Sequence, residues 1–392
     1  MAYKSKNHEN LRWAILGGGN GGQSMAGHLS LMGFPVRLYD IVPETVRTIR
    51  NQGGIQVGGV VKGFGEIELA TQEIAEAVDH ADIIVVVTPA VAHREVAEAL
   101  APHLENGQVV FVHPGATGGA LEFRRVLEQR NPKTPVTLSE SNSLIYACRS
   151  PEPGHASILG IKKELMVSAL PASETELAVK LLNTAFPQIY PGRNVLETSL
   201  SNPNAMMHPA PTLLNTSMIE SGRDWLYYWD GITPSIGAFV EQIDRERLAI
   251  AAALGLSLPS TREWYKLAYG AVGNTLTEVV RDNKAYEEVK GQKSLLTRYL
   301  LEDIPMGLVP MVSIGTMLGI NVSRMETVIR LAEFLTGHDF TKNARTVESL
   351  GLAGMTAQEI LRFVETGNAK ARAAKGKGRK GNVRKNAPRL NT

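Results

Sequence analysis

Three short stretches of this 392-residue sequence carry residue types that could do chemistry. The first, Gly17-Gly18-Gly19-Asn20-Gly21-Gly22, contains G-x-G-x-x-G at Gly17, Gly19 and Gly22. Absent side chains let the backbone approach a pyrophosphate, and the start of the helix that follows supplies unpaired N–H donors to the anion. Asp40, 18 residues past Gly22, ends the next predicted strand. A carboxylate there would bond both ribose hydroxyls of NAD and repel the 2′-phosphate of NADP, so NAD is expected over NADP. The second stretch, Thr88-Pro89-Ala90, follows the apolar run IIVVV (83–87), where a loop should pass beside such a cofactor with Pro89 against it. It reads equally as an ordinary strand-ending turn. The third is NPNAMMHPAP (202–211), with His208 after two methionines and before a proline. Histidine titrates near neutral pH and can pass a proton during a reaction. Its flanks alone do not separate a reactive imidazole from a structural one.

The elements that must position these residues follow from the pattern around them. RWAILGGG (12–19) reads as strand then turn, GQSMAGHLSLMG (22–33) as a helix with small Ala26 one turn in, and FPVRLYD (34–40) as a second strand. GIQVGGVVKGFGEIEL (54–69) has the glycine spacing of a small β excursion. Strand signals continue at ADIIVVVTPA (81–90), GQVVFVHPG (107–115), PVTLSES (135–141) and ELMVSALPA (164–172). Helical ones lie between and after them, at 71–81, 93–104, 120–130 and 174–186. This alternation predicts a parallel α/β sheet. From about residue 200 helical periodicity takes over, as in IGAFVEQIDRERLAIAAALGL (236–256) and RMETVIRLAEFL (324–335). The expected fold is a Rossmann-type dinucleotide-binding domain over 1–200, an all-α catalytic domain over 201–366 and a basic tail over 367–392.

Composition is consistent with two globular domains, 43% hydrophobic and 20% charged. No apolar run approaches a membrane span of about 20 residues, and the N-terminus lacks a signal-type apolar core. The single cysteine, Cys148, excludes an internal disulfide framework and a multi-cysteine metal site, and no metal is expected. A cytoplasmic protein is the economical reading. The net charge of +2 divides unevenly. From residue 368 on there are nine Lys or Arg and no acid, leaving 32 basic against 39 acidic residues before it, a body charge of −7. Such a tail cannot bury a core and is expected to be disordered, with nucleic-acid contact a lesser alternative because no aromatic interleaves its charges.

HPGATGGALEF (113–123), SLIYACRS (143–150), NVLETSLSNPNAMMHPAPTLLN (194–215), YYWDGITPSIG (227–237), EWYKLAYG (263–270) and TRYLLEDIPMGLVP (297–310) form a further pattern. Over about residues 11–366 the chain resembles the opine dehydrogenases of the octopine/nopaline type, nearest the bacterial N-(1-carboxyethyl)-norvaline dehydrogenase type. The resemblance implies an NAD-binding domain, a helical catalytic domain and usually a homodimer. It also implies a reaction, the reductive condensation of an α-keto acid, typically pyruvate, with the amino group of an amino acid, and the reverse oxidation.

By the same resemblance His208 is the catalytic histidine and Asp303 its acidic partner. Condensation needs a proton for the keto oxygen as the carbinolamine loses water, and a carboxylate on the far nitrogen would fix the tautomer. Two carboxylates must also be held, and Arg298, five residues before Asp303, offers a planar guanidinium for that of the amino acid. A structural ion pair is its alternative. For the keto-acid carboxylate the candidates are the hydroxyls of Thr117, Ser141 and Ser143. Trp225, Tyr227, Tyr228, Trp229, Trp264 and Tyr265 could line a pocket for a neutral, apolar amino acid or simply form core. Competing readings are a two-domain hydroxy-acid dehydrogenase and a dinucleotide-binding protein without turnover.

Overall fold

The computed structural model describes residues 11–368; the proposed disorder of the basic tail falls almost wholly outside them. Strands β1 (Trp13–Leu16), β2 (Val36–Tyr39), β3 (Gly54–Gly59), β4 (Gly63–Glu66), β5 (Leu69–Thr71) and β6 (Ile83–Val86) come first. They are followed by β7 (Val109–Val112), β8 (Thr137–Ser141), β9 (Tyr146–Glu152), β10 (His155–Ile161), β11 (Leu165–Leu170) and β12 (Ile189–Pro191). One sheet runs β12-β11-β8-β7-β6-β1-β2-β5, parallel from β8 to β5 and reversed at β11 and β12. β1 lies centrally, so its carboxyl end, where the glycine turn begins, opens at the middle of the sheet.

The central strands are apolar on both faces, as sheets covered by helices require. Trp13 and Ile15 enter one core with Met25 and Leu29 of the helix Asn20–Leu31. Ala14 and Leu16 face the other, which continues without a break into the helices of the second half through Met206, Ile250 and Leu308.

A second sheet, β4-β3-β10-β9, packs beside the helix Asn20–Leu31. Its β3–β4 half matches the excursion expected from glycine spacing. β9 and β10 were not read as strands from the sequence. Their polar, half-exposed residues, Pro151 within β9 and Gly154 between the strands interrupt any apolar run, and pairing of β10 with β3 and of β9 with β10, rather than composition, makes them strands.

After β12 the described elements are helical, from Val195–Leu200 onward. The division is less clean in space, because the chain returns to the first half near its end. Ile360 and Val364 of the helix Ala357–Thr366 are fully buried, and Glu365 pairs with Arg193 at 3.5 Å. Arg298–Met317 is long and apolar enough to cross a membrane, yet it is mostly buried among its neighbours as a core element.

Candidate active site

The glycine turn has the geometry that a dinucleotide requires. Gly17 sits at φ +111°, a conformation that side chains rarely adopt. A Cβ on Gly22 would lie 1.7 Å from the Gly17 carbonyl oxygen, so that glycine permits the helix to pack on the strand. A Cβ on Gly19 would meet nothing, which leaves the backbone there open to an incoming ligand. The helix Asn20–Leu31 has no side-chain cap, and its first N–H groups remain donors for an anion. Asn20 does not face that anion with its side chain: its Oδ1 accepts from Ser150 N at 2.8 Å and ties the turn to β9.

Asp40 follows β2 and accepts a hydrogen bond from Gly18 N through Oδ2, and one from Val42 N at 2.7 Å through Oδ1. The carboxylate thus lies against the turn, beside the place expected for a ribose. Arg37 points elsewhere, donating to the Glu76 carbonyl at 2.8 Å and pairing with Asp79 at 3.5 Å. These residues fit a dinucleotide. Pro89 is exposed beyond β6, and the next backbone N–H, that of Ala90, donates 3.0 Å to Glu302 Oε1 from the other half of the chain.

The structure brings His208 and Asp303 together, His208 Nδ1 to Asp303 Oδ2 at 2.7 Å. Short helices make this possible. His208 ends the helix Asn204–Met207 and precedes the helix Pro209–Leu214, whose first residue lacks an N–H and restarts the chain in a new direction. Asp303 precedes a π-helical turn, Ile304–Leu308, a rare form that recurs at functional sites. Gly307 in that turn faces Ala205; a Cβ on it would be 2.8 Å from the Ala205 Cβ, so the two segments meet only because both residues are small. The carboxylate as acceptor leaves the proton on Nδ1 and turns Nε2 toward chemistry. His208 is 8% exposed, enclosed but not sealed.

Arg298 is largely exposed and its Nε lies 3.2 Å from Glu302 Oε2. The ion pair weighed in the sequence reading is therefore present, and the outer edge of the guanidinium remains available to a ligand. Thr117 is buried where the halves meet: its N–H donates to Met306 O at 3.0 Å and its carbonyl accepts from Arg345. That leaves only its hydroxyl for a substrate.

Ser141 does not fit the role expected of it. It is fully buried, donates to Ser143 O at 3.0 Å and lies 2.6 Å from His113 Nδ1, so both capacities of its hydroxyl are committed to shaping the turn. Ser143 Oγ accepts from Lys162 Nζ at 2.7 Å, and burial lowers that ammonium to about 8. Leu144, between them and β9, reaches the glycine turn at Gly21. Of the aromatic cluster, Trp225, Tyr227, Tyr228 and Tyr265 are core residues, while Trp229 is exposed with Arg281 over its ring.

Sequence reasoning missed four contributors. Tyr299 lies parallel on the His208 ring, with centroids 3.8 Å apart. Tyr227, read only as lining or core, also donates its hydroxyl to the His208 carbonyl at 2.9 Å. Glu302 bridges Arg298 to the loop at Pro89. Arg345, with no exposure, crosses the seam to Glu122 Oε2 at 2.8 Å and to the carbonyls of Gly115 and Thr117. Arg298, Tyr299, Glu302 and Asp303 lie within six consecutive residues, so the motif around Asp303 was the available signal for two of these.

A family model for the α-helical domain of NAD/NADP octopine/nopaline dehydrogenase matches residues 191–336, and one for the N-terminus of NAD-dependent glycerol-3-phosphate dehydrogenase matches residues 12–129. An opine dehydrogenase of Arthrobacter sp. (strain 1C) is 41% identical over 358 residues, 91% of this chain and 99% of that protein. The chain belongs to the opine dehydrogenase family. Octopine dehydrogenase of Pecten maximus is 23% identical, with 84% of this chain and 91% of that protein covered.

Among solved structures, octopine dehydrogenase with NADH and L-arginine superposes with a TM-score of 0.74 at 20% identity, covering 90% of this chain and 98% of that one. NADP⁺-bound yersinopine dehydrogenase gives 0.63 at 16% identity, covering 91% and 98%. Opine dehydrogenases are NAD(P)-dependent oxidoreductases acting on the CH–NH bond of secondary amines, which they form from a keto acid and an amino acid.

Proposed function

We propose that this opine dehydrogenase uses NAD to join pyruvate to a neutral, apolar L-amino acid, and that it works in the cytoplasm as a homodimer. The observation that carries the reading is the enclosed His208–Asp303 pair with Nε2 free for chemistry. As the amine adds to the keto carbon, imidazolium His208 protonates the developing alkoxide, takes up the proton shed by the amine nitrogen and returns it to the departing hydroxyl, which leaves as water from an iminium. Asp303 accepts from Nδ1–H, which aims Nε2 at the reacting atoms, and it stabilises the imidazolium whose Nε2–H is the donor. NADH, when bound, supplies the hydride that reduces the iminium. In the reverse direction His208 takes the proton back. Arg298 anchors the amino-acid carboxylate, and the hydroxyls of Thr117 and Ser143 are the remaining candidates for the keto acid.

A neutral side chain is favoured because the carboxylates beside the pair are already engaged. Glu302 holds Ala90 and Arg298, and Asp303 holds His208. NAD is favoured over NADP by Asp40 beside the turn and by Arg37, whose contacts lie at Glu76 and Asp79. The test is NADH oxidation with pyruvate in the presence and absence of a panel of amino acids, repeated with NADPH. Turnover should require both substrates, favour apolar amino acids and prefer NADH. Turnover with pyruvate alone, unchanged by any amino acid, would instead indicate a hydroxy-acid dehydrogenase and sink the proposal.

A further inference from the structure

The helical turn that carries Asp303 carries a second group aimed at His208. Residues four apart on a helix share a face, and Tyr299 is four before Asp303. The two reach the imidazole differently. Asp303 meets its Nδ1 edge at 2.7 Å, while Tyr299 covers a face, with centroids 3.8 Å apart and planes inclined by 8°. Tyr227 stands edge-on to Tyr299 at 5.0 Å and 69°, bracing it from the side, and is edge-on to His208 at 6.3 Å.

Resting on the reading of His208 as the proton carrier, we propose that Tyr299 is a positioning residue that fixes the imidazole plane and favours the imidazolium. A hydrogen bond at Nδ1 alone leaves the ring free to swing, because the terminal torsion of histidine is broad. A flat ring in contact with one face removes that freedom and keeps Nε2 on the reacting atoms. The face of an aromatic ring also attracts a cation more than a neutral group. Asp303 and Tyr299 therefore favour the same protonation state, one through the edge and one through the face.

The groups facing His208 are Asp303, Tyr299 and Tyr227, with Arg298 and Glu302 flanking them on the same segment. The positive charges of Arg298 and of Arg149 in β9 act on the Tyr299 phenol. Burial, and then the Asp303 carboxylate, raise the Tyr299 phenol above its ordinary value. It consequently meets His208 as a neutral ring. The hydroxyl is dispensable to this role, which sets phenylalanine apart from aliphatic replacements.

The experiment is a histidine NMR titration of the whole enzyme, with the His208 signal assigned by its loss in His208→Ala, alongside kcat and KM. Tyr299→Leu should lower the His208 midpoint by roughly half a pH unit. It should reduce kcat about tenfold through misplacement of the ring while leaving NADH affinity unchanged. Tyr299→Phe should keep the wild-type midpoint and recover most of the rate. Tyr299→Met, which fills the space without an aromatic face, replaces the leucine variant if that one fails to fold.

A folded leucine or methionine variant with an unmoved His208 midpoint would overturn the proposal, as would a phenylalanine variant as impaired as leucine. An active His208→Ala would instead overturn the role given to His208. The titration would still report on the stacking, so the two failures are distinguishable.

Discussion

The glycine turn is made from six consecutive residues where one strand passes into one helix, whereas His208 and Asp303 stand 95 positions apart. The first needs only a backbone conformation: Gly17 at positive φ, Gly22 against the Gly17 carbonyl and an uncapped helix start. The second needs packing. Ala205 must meet Gly307, Pro209 must restart a helix, and Tyr227 and Tyr299 must fix the ring. The contrast leads us to expect that the proposed cofactor turn and proton pair can be disabled separately, although Glu302 and Arg345 fasten the two halves together.

The largest expected effect probes the packed pair. His208→Ala should lower kcat about a thousandfold, within the range for loss of a general acid–base group. NADH binding, followed by its fluorescence, should stay within about twofold. A near-normal rate would remove His208 from the mechanism; a parallel loss of NADH affinity would break the separation. Next comes the turn. Gly22→Ala sets a methyl carbon against the Gly17 carbonyl at a separation of 1.7 Å, so the turn must shift. NADH affinity should fall about a hundredfold as the pyrophosphate loses its aligned N–H donors. Circular dichroism should still show a folded helical half. Wild-type NADH affinity in that variant would mean that the phosphate binds elsewhere.

The same contrast explains what could be read without coordinates. The turn was legible because its residues are neighbours, and β1, β6 and β7 because buried parallel strands are continuously apolar. The change from strands to helices after β12 was legible as a change of period. β9 and β10 were not, since they become strands through the pairing of β10 with β3, which lies in tertiary structure rather than local composition. The His208–Asp303 contact came from resemblance, for no spacing rule joins residues so distant. Tyr299, Glu302 and Arg345 were missed for a related reason: a tyrosine, a glutamate or an arginine in a helical half is ordinary until its partner is known. Ser141 was misjudged in the opposite direction, as a free hydroxyl at a strand end, because His113 approaches it from a neighbouring strand.

The smallest effect concerns this last pair and contrasts two histidines. His208, the proposed proton carrier, keeps some exposure, while His113 is sealed from solvent. Its Nε2 accepts from Ile145 N at 3.1 Å, its Nδ1 donates to Ser141 Oγ, and its ring stacks on Phe111 at 4.9 Å. Burial, with Lys162 adding repulsion, lowers this imidazole to about 3. The folded chain therefore refuses a proton that the unfolded chain accepts near pH 6.5. The stability associated with neutral His113 is complete above that pH and is lost as the pH falls toward 3. The loss is at most about 1.4 kcal/mol per pH unit. His113→Gln keeps an acceptor and a donor but cannot charge. Its stability deficit relative to wild type, measured by urea unfolding, should narrow by up to about that amount between pH 6.5 and 5.5. A deficit that stays constant with pH would mean that His113 titrates alike in both states, and the turn at Ser141–Ser143 beside the cofactor would then owe its shape to something other than this sealed imidazole.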